Sequence, residues 1–175
     1  MTTAGLAPTV DVTVVDHSGW RVTAVESRHG CARAASQGGV VDVLVGERTR
    51  RTDNGVGSCA AFVMVSCAPD GMATVTTRQA PPAIKATAAG PRVTPADGGT
   101  ASTELLAPGE RLLVLSSASF DEMPEVLAAL LCTTPDQLLV SDAAELLTAL
   151  FEATGQGAGA LIERLTDANP NGRTR

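Results

Sequence analysis

The chain has 175 residues, which suits one domain with its own core and leaves too little length for two. Its formal net charge of −6 disfavours a non-specific nucleic-acid surface, because such a surface needs clustered cations. No apolar run reaches the roughly 18 residues of a membrane span, and the first residues lack a basic, apolar leader. We therefore expect a cytoplasmic protein that binds neither nucleic acid nor membrane.

The composition predicts a core of small apolar side chains. Aromatic residues make up 2% of the chain, with no tyrosine and a single tryptophan, Trp20. Alanine, valine, leucine and isoleucine must therefore supply most of the buried surface. The cysteines lack C-x-x-C spacing and are expected to be reduced, mostly buried thiols: Cys31, Cys59, Cys67 and Cys132.

The first part of the sequence predicts a hairpin followed by a helix. Alternating apolar and polar residues over 10–15 and 20–25 predict two strands joined by a short polar turn. After this hairpin, apolar residues recur at helical spacing, which predicts a helix over 31–45. The Gly38-Gly39 pair weakens the middle of that helix, because glycine has a low helix propensity.

The middle of the chain predicts five further strands. A continuous apolar run and a following alternation, separated by the turn signal Pro69-Asp70-Gly71, predict a second hairpin. Residues 50–57 are polar and loop-like, and the glycines and prolines of residues 88–100 predict a surface loop. The five strands are expected at residues 59–67, 72–77, 83–87, 101–106 and 111–116.

The last part of the chain predicts two helices and a final strand. The helices are expected at residues 124–132 and 141–153, with Ser141 as the N-cap of the second. Glycines over 155–159 predict a flexible break before a strand at 160–165.

This order groups strands with strands and helices with helices, which favours antiparallel sheets with helices outside them. We predict an α+β fold, a four-layer αββα sandwich of two mostly antiparallel sheets flanked by helices. The domain is expected to span residues 9–165, between flexible segments at residues 1–8 and 166–175.

No motif identifies a catalytic or metal site by itself. His17 and His29 are the only histidines, and no cysteine or carboxylate completes a zinc-binding spacing with them. The sequence contains neither the G-x-S-x-G nucleophile turn nor a glycine-rich phosphate loop. Residue patterns alone therefore lead no further than an α+β domain.

Four segments, in order, resemble the motifs of one family. Residues 25–30 read V-E-S-R-H-G and are similar to its D-V-S-G-H-G turn. Residues 78–82 read R-Q-A-P-P where the family has A-G-H-P-P, and residues 157–162 read G-A-G-A-L-I where it has D-D-x-A-L-L. Residues 107–118 read A-P-G-E-R-L-L-V-L-S-S-A and are similar to P-G-D-x-L-L-L-Y-T-D-G. The chain thus resembles the bacterial metal-dependent serine phosphatases of the sporulation stage II protein E type, in the PPM superfamily.

The resemblance implies a two-ion site that this sequence departs from. Members of the family hold a pair of Mn²⁺ or Mg²⁺ ions with aspartates, since such hard cations demand oxygen ligands. Here Val25, Ser117, Gly157 and Ala158 occupy the positions of those aspartates. The resemblance therefore predicts a degenerate site with no catalytic residue, no metal and no other cofactor.

We accordingly interpret the chain as a pseudophosphatase that binds a regulatory protein. The resemblance implies a partner in a bacterial signalling circuit of the anti-sigma antagonist type. The candidate binding surface is the rim of the former active site, with these residues: Ser27, His29, Gly30, Gln79, Ser116 and Ser119.

Two alternatives remain open at this point. The first is an active serine/threonine phosphatase that binds manganese or magnesium through relocated ligands. These would be Asp11, Glu26 and either Asp121 or Glu122. The second is an unrelated structural domain, whose apolar helices within residues 124–153 would form the face of a homodimer.

Overall fold

The computed structural model describes residues 11–47, 61–96, 98–117, 136–154 and 156–166. These residues form eleven strands and two helices. The strands are β1 (Asp11–His17), β2 (Trp20–Glu26), β3 (Arg28–Gln37), β4 (Val40–Glu47), β5 (Phe62–Cys67), β6 (Met72–Arg78), β7 (Ala83–Thr87), β8 (Gly90–Thr94), β9 (Ala101–Leu105), β10 (Arg111–Leu115) and β11 (Gln156–Arg164). The helices are α1 (Gln137–Val140) and α2 (Ala143–Thr154).

The strands form two antiparallel sheets that are joined at one point. The first sheet has the order β1-β2-β11-β10-β7-β8, and the second has the order β3-β4-β5-β6-β9. A short parallel pairing of β11 with β3 links them, with Gln156 opposite Arg28 and Gly157 opposite His29. The prediction that the strands pair mostly antiparallel is therefore confirmed.

Two layers of apolar side chains hold these elements together. One layer fills the space between the sheets and is built mostly from valine and alanine, with Trp20 as its largest member. The other lies between the first sheet and the helices, and there Phe151 of α2 is completely buried. Because strand residues alternate between faces, β2, β10 and β11 each contribute to both layers.

The helix predicted over residues 31–45 is wrong, because this segment forms the β3–β4 hairpin. Gly38 and Gly39 form its turn with φ angles of 59° and 85°, which glycine adopts without steric cost. The strand alternation places Ala32 in the layer between the sheets and Arg33 in solvent. A glycine pair that weakens a helix is at the same time a strong hairpin signal.

Three smaller predictions also need correction. The loop predicted over 88–100 contains β8, and the break predicted over 155–159 contains the first residues of β11. The N-cap of α2 is Asp142 and not Ser141, since an Asp142 side-chain oxygen accepts a hydrogen bond from the Glu145 backbone N–H at 3.0 Å.

Several predictions fall outside the described residues. These are the helix at 124–132, the loop at 50–57, the N-terminal segment 1–8 and almost all of the C-terminal segment. Both described helices pack against the first sheet, so the described ranges supply one outer helical layer. None of the helices in these ranges is long and apolar enough to cross a membrane.

Long side chains bridge the two sheets at one end of the sandwich, which we call the far end. The Arg164 guanidinium lies 5.1 Å from the centre of the Trp20 ring and donates hydrogen bonds to the carbonyls of Ser18 and Pro69. The Trp20 indole N–H donates to the Ala68 carbonyl at 2.8 Å. These contacts connect the β1–β2 turn of one sheet with the β5–β6 turn of the other.

A buried lysine adds a second bridge at the far end. The Lys85 side chain is 4% exposed, and its ammonium donates to the Leu105 carbonyl at 2.6 Å. It also lies 3.3 Å from a carboxylate oxygen of Glu110 and 3.7 Å from one of Glu104. Lys85 belongs to the first sheet and Glu104 to the second, so this cluster also bridges the sandwich.

Candidate functional site

The four motif segments meet at the opposite end of the sandwich, which we call the near end. Ala158 lies opposite Glu26 in the β2–β11 register. Ser116 binds Ala158 twice, because its N–H donates to the Ala158 carbonyl at 2.9 Å and its hydroxyl accepts from the Ala158 N–H at 3.1 Å. The Ser117 hydroxyl donates to the Gln79 carbonyl at 3.1 Å. Residues that are far apart in sequence are thus joined by hydrogen bonds.

Backbone groups close the near end directly. The Ser27 N–H and the Ser27 hydroxyl both donate to the Gly157 carbonyl, at 3.0 and 2.9 Å. Gly30 lies so close to the same peptide that a Cβ added to it would be 1.9 Å from the Gly157 oxygen. The backbone segments 27–30 and 157–158 therefore occupy the space between the ends of the sheets.

Successive side chains of β2 point to opposite faces of the sheet, and this alternation determines which of them faces the space between the sheets. Val25 packs in the layer between the first sheet and the helices, and it is completely buried. Glu26 is on the other face of β2, where its carboxylate accepts a hydrogen bond from the Ala32 N–H at 3.1 Å. Asp11 lies opposite Glu26 in β1, so the two carboxylates share one face. The sequence analysis assigned one aspartate position of the family to Val25. It missed that Glu26, two residues after the inward-facing Ala24, also points toward the space between the sheets.

The donor atoms at the near end do not fit the two-ion site that the resemblance implies. At the positions that the resemblance assigns to carboxylates, Ser117 carries a hydroxyl, Gly157 and Ala158 are small residues, and Val25 faces away from the space between the sheets. Two divalent ions need several anionic oxygens, and Glu26 and Asp11 contribute two carboxylates on one face of the β1–β2 hairpin. Within the described ranges, no three histidine, cysteine, aspartate or glutamate residues form a group that could hold a metal ion. Asp121 and Glu122, the other proposed ligands, lie outside those ranges.

The predicted binding rim is smaller than expected. Ser27, Gly30 and Ser116 are buried, so these three residues do not contribute side chains to an exposed surface. His29 and Gln79 are exposed and have positive φ angles of 67° and 50°, a region that non-glycine residues rarely adopt. Ser119 lies outside the part of the chain that the structure describes.

Two grooves of similar size lie on the described surface. The first, of about 550 Å³, lies beside α2, and its lining includes the ion pairs Asp16–Arg21 and Arg111–Glu163 together with the N-cap residue Asp142. The hydrogen bond from Arg21 lowers the pKa of Asp16 below its ordinary value.

The second, of about 520 Å³, lies at the near end, and we call it the near-end groove. Its lining includes Arg78, Gln79, Ala80, Val93, Pro95 and Thr100. The sequence analysis identified residues 78–82 as a motif, but it did not predict that Val93 and Thr100 line the same groove.

The sequence matches no known protein-family description and no curated protein. Solved structures do match in shape. The phosphatase domain of the cell fate determinant SpoIIE from Bacillus subtilis superposes with a TM-score of 0.63 at 10% identity, over 92% of this chain and 99% of that domain. The chain has the fold of the PP2C phosphatase domains.

Two further structures agree with this assignment of the PP2C fold. The RsbU and RsbW domains of Rv1364c from Mycobacterium tuberculosis match with a TM-score of 0.53 at 13% identity, over 91% of this chain and 61% of that one. A structure of the SpoIIE PP2C domain with a fragment of its regulatory domain matches with a TM-score of 0.55 at 10% identity, over 91% and 71% of the two chains. At such identities the likeness establishes the fold, and the chemistry has to be argued from the residues.

Proposed function

We propose that this chain is a non-catalytic PP2C-fold domain, a pseudophosphatase that binds a regulatory protein. The proposed partner belongs to a bacterial signalling circuit of the anti-sigma antagonist type. The similarity in fold to SpoIIE and to the RsbU and RsbW domains of Rv1364c supports that context. The shared fold also disfavours the alternative of an unrelated structural domain.

One observation supports the loss of catalysis more than any other. The Gly157 carbonyl accepts two hydrogen bonds from Ser27 and is in contact with Gly30, at the position where the family has its paired aspartates. Gly157 and Ala158 carry no side-chain oxygen, which supports the absence of a carboxylate cage at these two positions. Phosphoryl transfer in this family depends on a water molecule that metal ions activate. The described side chains at the near end offer few oxygen ligands for such ions.

The cross-strand pair Asp11 and Glu26 favours one second candidate, an active phosphatase with relocated ligands. Both side chains project from one hairpin toward the same face, as two ligands of one cation would. This candidate requires a further carboxylate, for which residues Asp121 and Glu122 are the sequence candidates. Manganese or magnesium would be the cofactor in that case.

Isothermal titration calorimetry with MnCl₂, combined with a phosphoserine-peptide turnover assay, distinguishes these functions. We expect no saturable Mn²⁺ binding and no phosphate release, with the SpoIIE phosphatase domain as the positive control. Saturable binding that disappears in Glu26→Gln, together with phosphate release, would establish the second candidate. The matched control is Glu152→Gln, which removes an exposed carboxylate from α2.

Four further expectations complete the proposal. We propose a four-layer αββα sandwich, in which α1 and α2 belong to one of the two helical layers. We also propose domain boundaries at residues 9 and 165, a cytoplasmic location, and self-association through the helices of residues 124–153. Limited proteolysis tests the boundaries, and analytical ultracentrifugation tests self-association.

A further inference from the structure

Strand β1 lies at one end of the first sheet. Among the strands that the structure describes, it pairs with β2 alone, along its whole length of seven residues. Six of the seven residues are exposed, and Val12 and Val14 keep 46% and 55% of their surface in solvent. Proteins usually avoid such exposed apolar edges, because the outer backbone groups of an edge strand can bind another strand. β1 therefore has the features of a strand-binding edge.

The hydrogen bonds on either side of β2 show which backbone groups of β1 point outward. Before β2, the Gly19 carbonyl accepts from the Leu165 N–H at 2.9 Å. After β2, the Ser27 N–H donates to the Gly157 carbonyl at 3.0 Å. Odd-numbered residues of β2 therefore bond to β11, and its even-numbered residues bond to their register partners in β1, which are odd-numbered. The backbone groups of β1 that point away from the sheet consequently belong to these residues: Val12, Val14 and Asp16.

A second copy of β1 matches this edge in one register. When two copies run antiparallel about a two-fold axis through Val14, that residue faces itself and Val12 faces Asp16 of the other copy. All three outward residues of each strand are then in hydrogen-bonded pairs, and three pairs of two bonds give about six backbone hydrogen bonds. A shift of one residue would place outward groups against groups that are already bonded to β2.

The side chains of β1 complement each other in the same register. Asp11 lies opposite His17 of the other copy, in a non-hydrogen-bonded pair, where facing side chains are closest. Within one copy Asp11 lies opposite Glu26, so an imidazole donor beside these two carboxylates is favourable. On the other face of the strand, Val14 meets its own copy and Val12 lies diagonally beside it. The pairing therefore covers the exposed valines and gives each Asp11 a partner.

We propose that β1 is a dimerisation edge, at which two copies of this chain pair antiparallel about Val14. The first sheets of the two copies then form one continuous sheet, through an isologous contact that closes and does not propagate. This interface goes beyond the proposed function, and it is separate from the self-association proposed for the helices of residues 124–153. Two strands of seven residues bury less area than a stable dimer interface, so we expect a dissociation constant on the order of 10 µM.

Sedimentation velocity on the full chain, from about 1 to about 300 µM, measures the self-association. Val14→Lys places two cations against each other at the two-fold axis and should weaken association about tenfold, and Val14→Glu should do the same with two anions. An equimolar mixture of the two variants at low ionic strength should associate about tenfold more tightly than either variant alone, because opposite charges then face each other. This recovery requires the two copies of Val14 to lie side by side across the axis.

A matched control and a second pair of variants keep the test independent of Val14. Val93 is 51% exposed on β8, at the other end of the described first sheet, so Val93→Lys should leave the dissociation constant within about twofold. His17→Asp places a carboxylate opposite Asp11 and should weaken association about threefold, and the further change Asp11→His should restore it. Circular dichroism melting verifies that every variant is folded.

Three results would overturn the β1 interface. The first is a chain that stays monomeric over the whole concentration range. The second is a dimer that Val14→Lys and His17→Asp leave intact, which would favour the helices of residues 124–153 as the contact. The third is a loss of association in Val14→Lys and Val14→Glu without recovery in their mixture. Phosphate release from a phosphoserine peptide tests the proposed function separately, because it does not depend on β1 pairing.

Discussion

The two ends of the sandwich are closed by different means. At the far end, long side chains cross from one sheet to the other: Arg164 over Trp20, and Lys85 between Glu104 and Glu110. At the near end, backbone groups and small residues are in direct contact, with Gly30 against Gly157. A long side chain can adjust its rotamer when a neighbour changes, whereas two backbones in contact cannot.

This difference indicates where the protein tolerates change. The contact between Gly30 and Gly157 has no space for an added atom, so Gly30 is required by geometry and not by chain flexibility. The far end depends on satisfied charge, so it should tolerate changes of shape better than the loss of a partner. The predictions below test each side of this contrast.

Gly30→Ala should have the largest effect, because its Cβ would lie 1.9 Å from the Gly157 oxygen. We expect a loss of about 3 kcal/mol in the free energy of unfolding, measured by urea denaturation. Gly38→Ala is the control, since its Cβ would meet nothing within 4 Å. That variant should lose about 1 kcal/mol, for the left-handed backbone alone. Equal losses in the two variants would refute the close contact at the near end.

Lys85→Met should lower the free energy of unfolding by about 2 kcal/mol. The substitution keeps the buried length of the side chain but leaves Glu104, Glu110 and the Leu105 carbonyl without the ammonium. Chemical denaturation measures the loss. The triple variant with Glu104→Gln and Glu110→Gln should recover part of it, and no recovery would mean that packing and not charge holds this end.

His29→Gly should stabilise the protein slightly. His29 has a φ of 67°, and glycine adopts that conformation without the steric cost that other residues bear. The greater freedom of glycine in the unfolded chain offsets part of the gain, so we expect about 0.5 kcal/mol. His17→Gly in β1 is the control and should destabilise. A fall in melting temperature for His29→Gly would show that its side chain makes a contact worth more than the strain.

Asp16→Asn should have the smallest effect and a defined pH dependence. Arg21 lowers the pKa of Asp16 in the folded state, so the pair stabilises the protein at pH above the ordinary aspartate pKa of 3.8. The contribution is lost as pH falls below that value toward the lowered one. Both side chains are about half exposed and screened by solvent, so the difference at pH 7 should be about 0.5 kcal/mol or less. Thermal melts at pH 7 and pH 3 measure it, and a difference that grows at pH 3 would contradict the assignment.

The sequence predicts the strands well where alternation and a turn signal coincide, as in the β1–β2 and β5–β6 hairpins. It fails over residues 31–45, because alanine and arginine favour helices and small residues alternate too weakly to show a buried face. The glycine pair at 38–39 carried the decisive information. The β8 strand was missed because Gly90 and Pro91 resemble a loop, although an edge strand tolerates both.

The sequence predicted which segments meet at the candidate site, but not which of their residues are buried there. The resemblance brought residues 25–30, 78–82 and 157–162 to one place, and the hydrogen bonds of Ser27 and Ser117 join members of that set. It could not show which residues would be buried, as Ser116 is where it pairs with Ala158 of β11. The near-end groove depends on the β8–β9 connection, which no motif marks.

Lys85 is the only lysine of the chain, and its amine is enclosed between the sheets. Reagents that acylate lysine should therefore leave this side chain unmodified in the native protein and modify it once the far end opens. The rate at which mass spectrometry detects an acyl group on Lys85 would thus report how often the sandwich opens, at a single site and without any engineered probe.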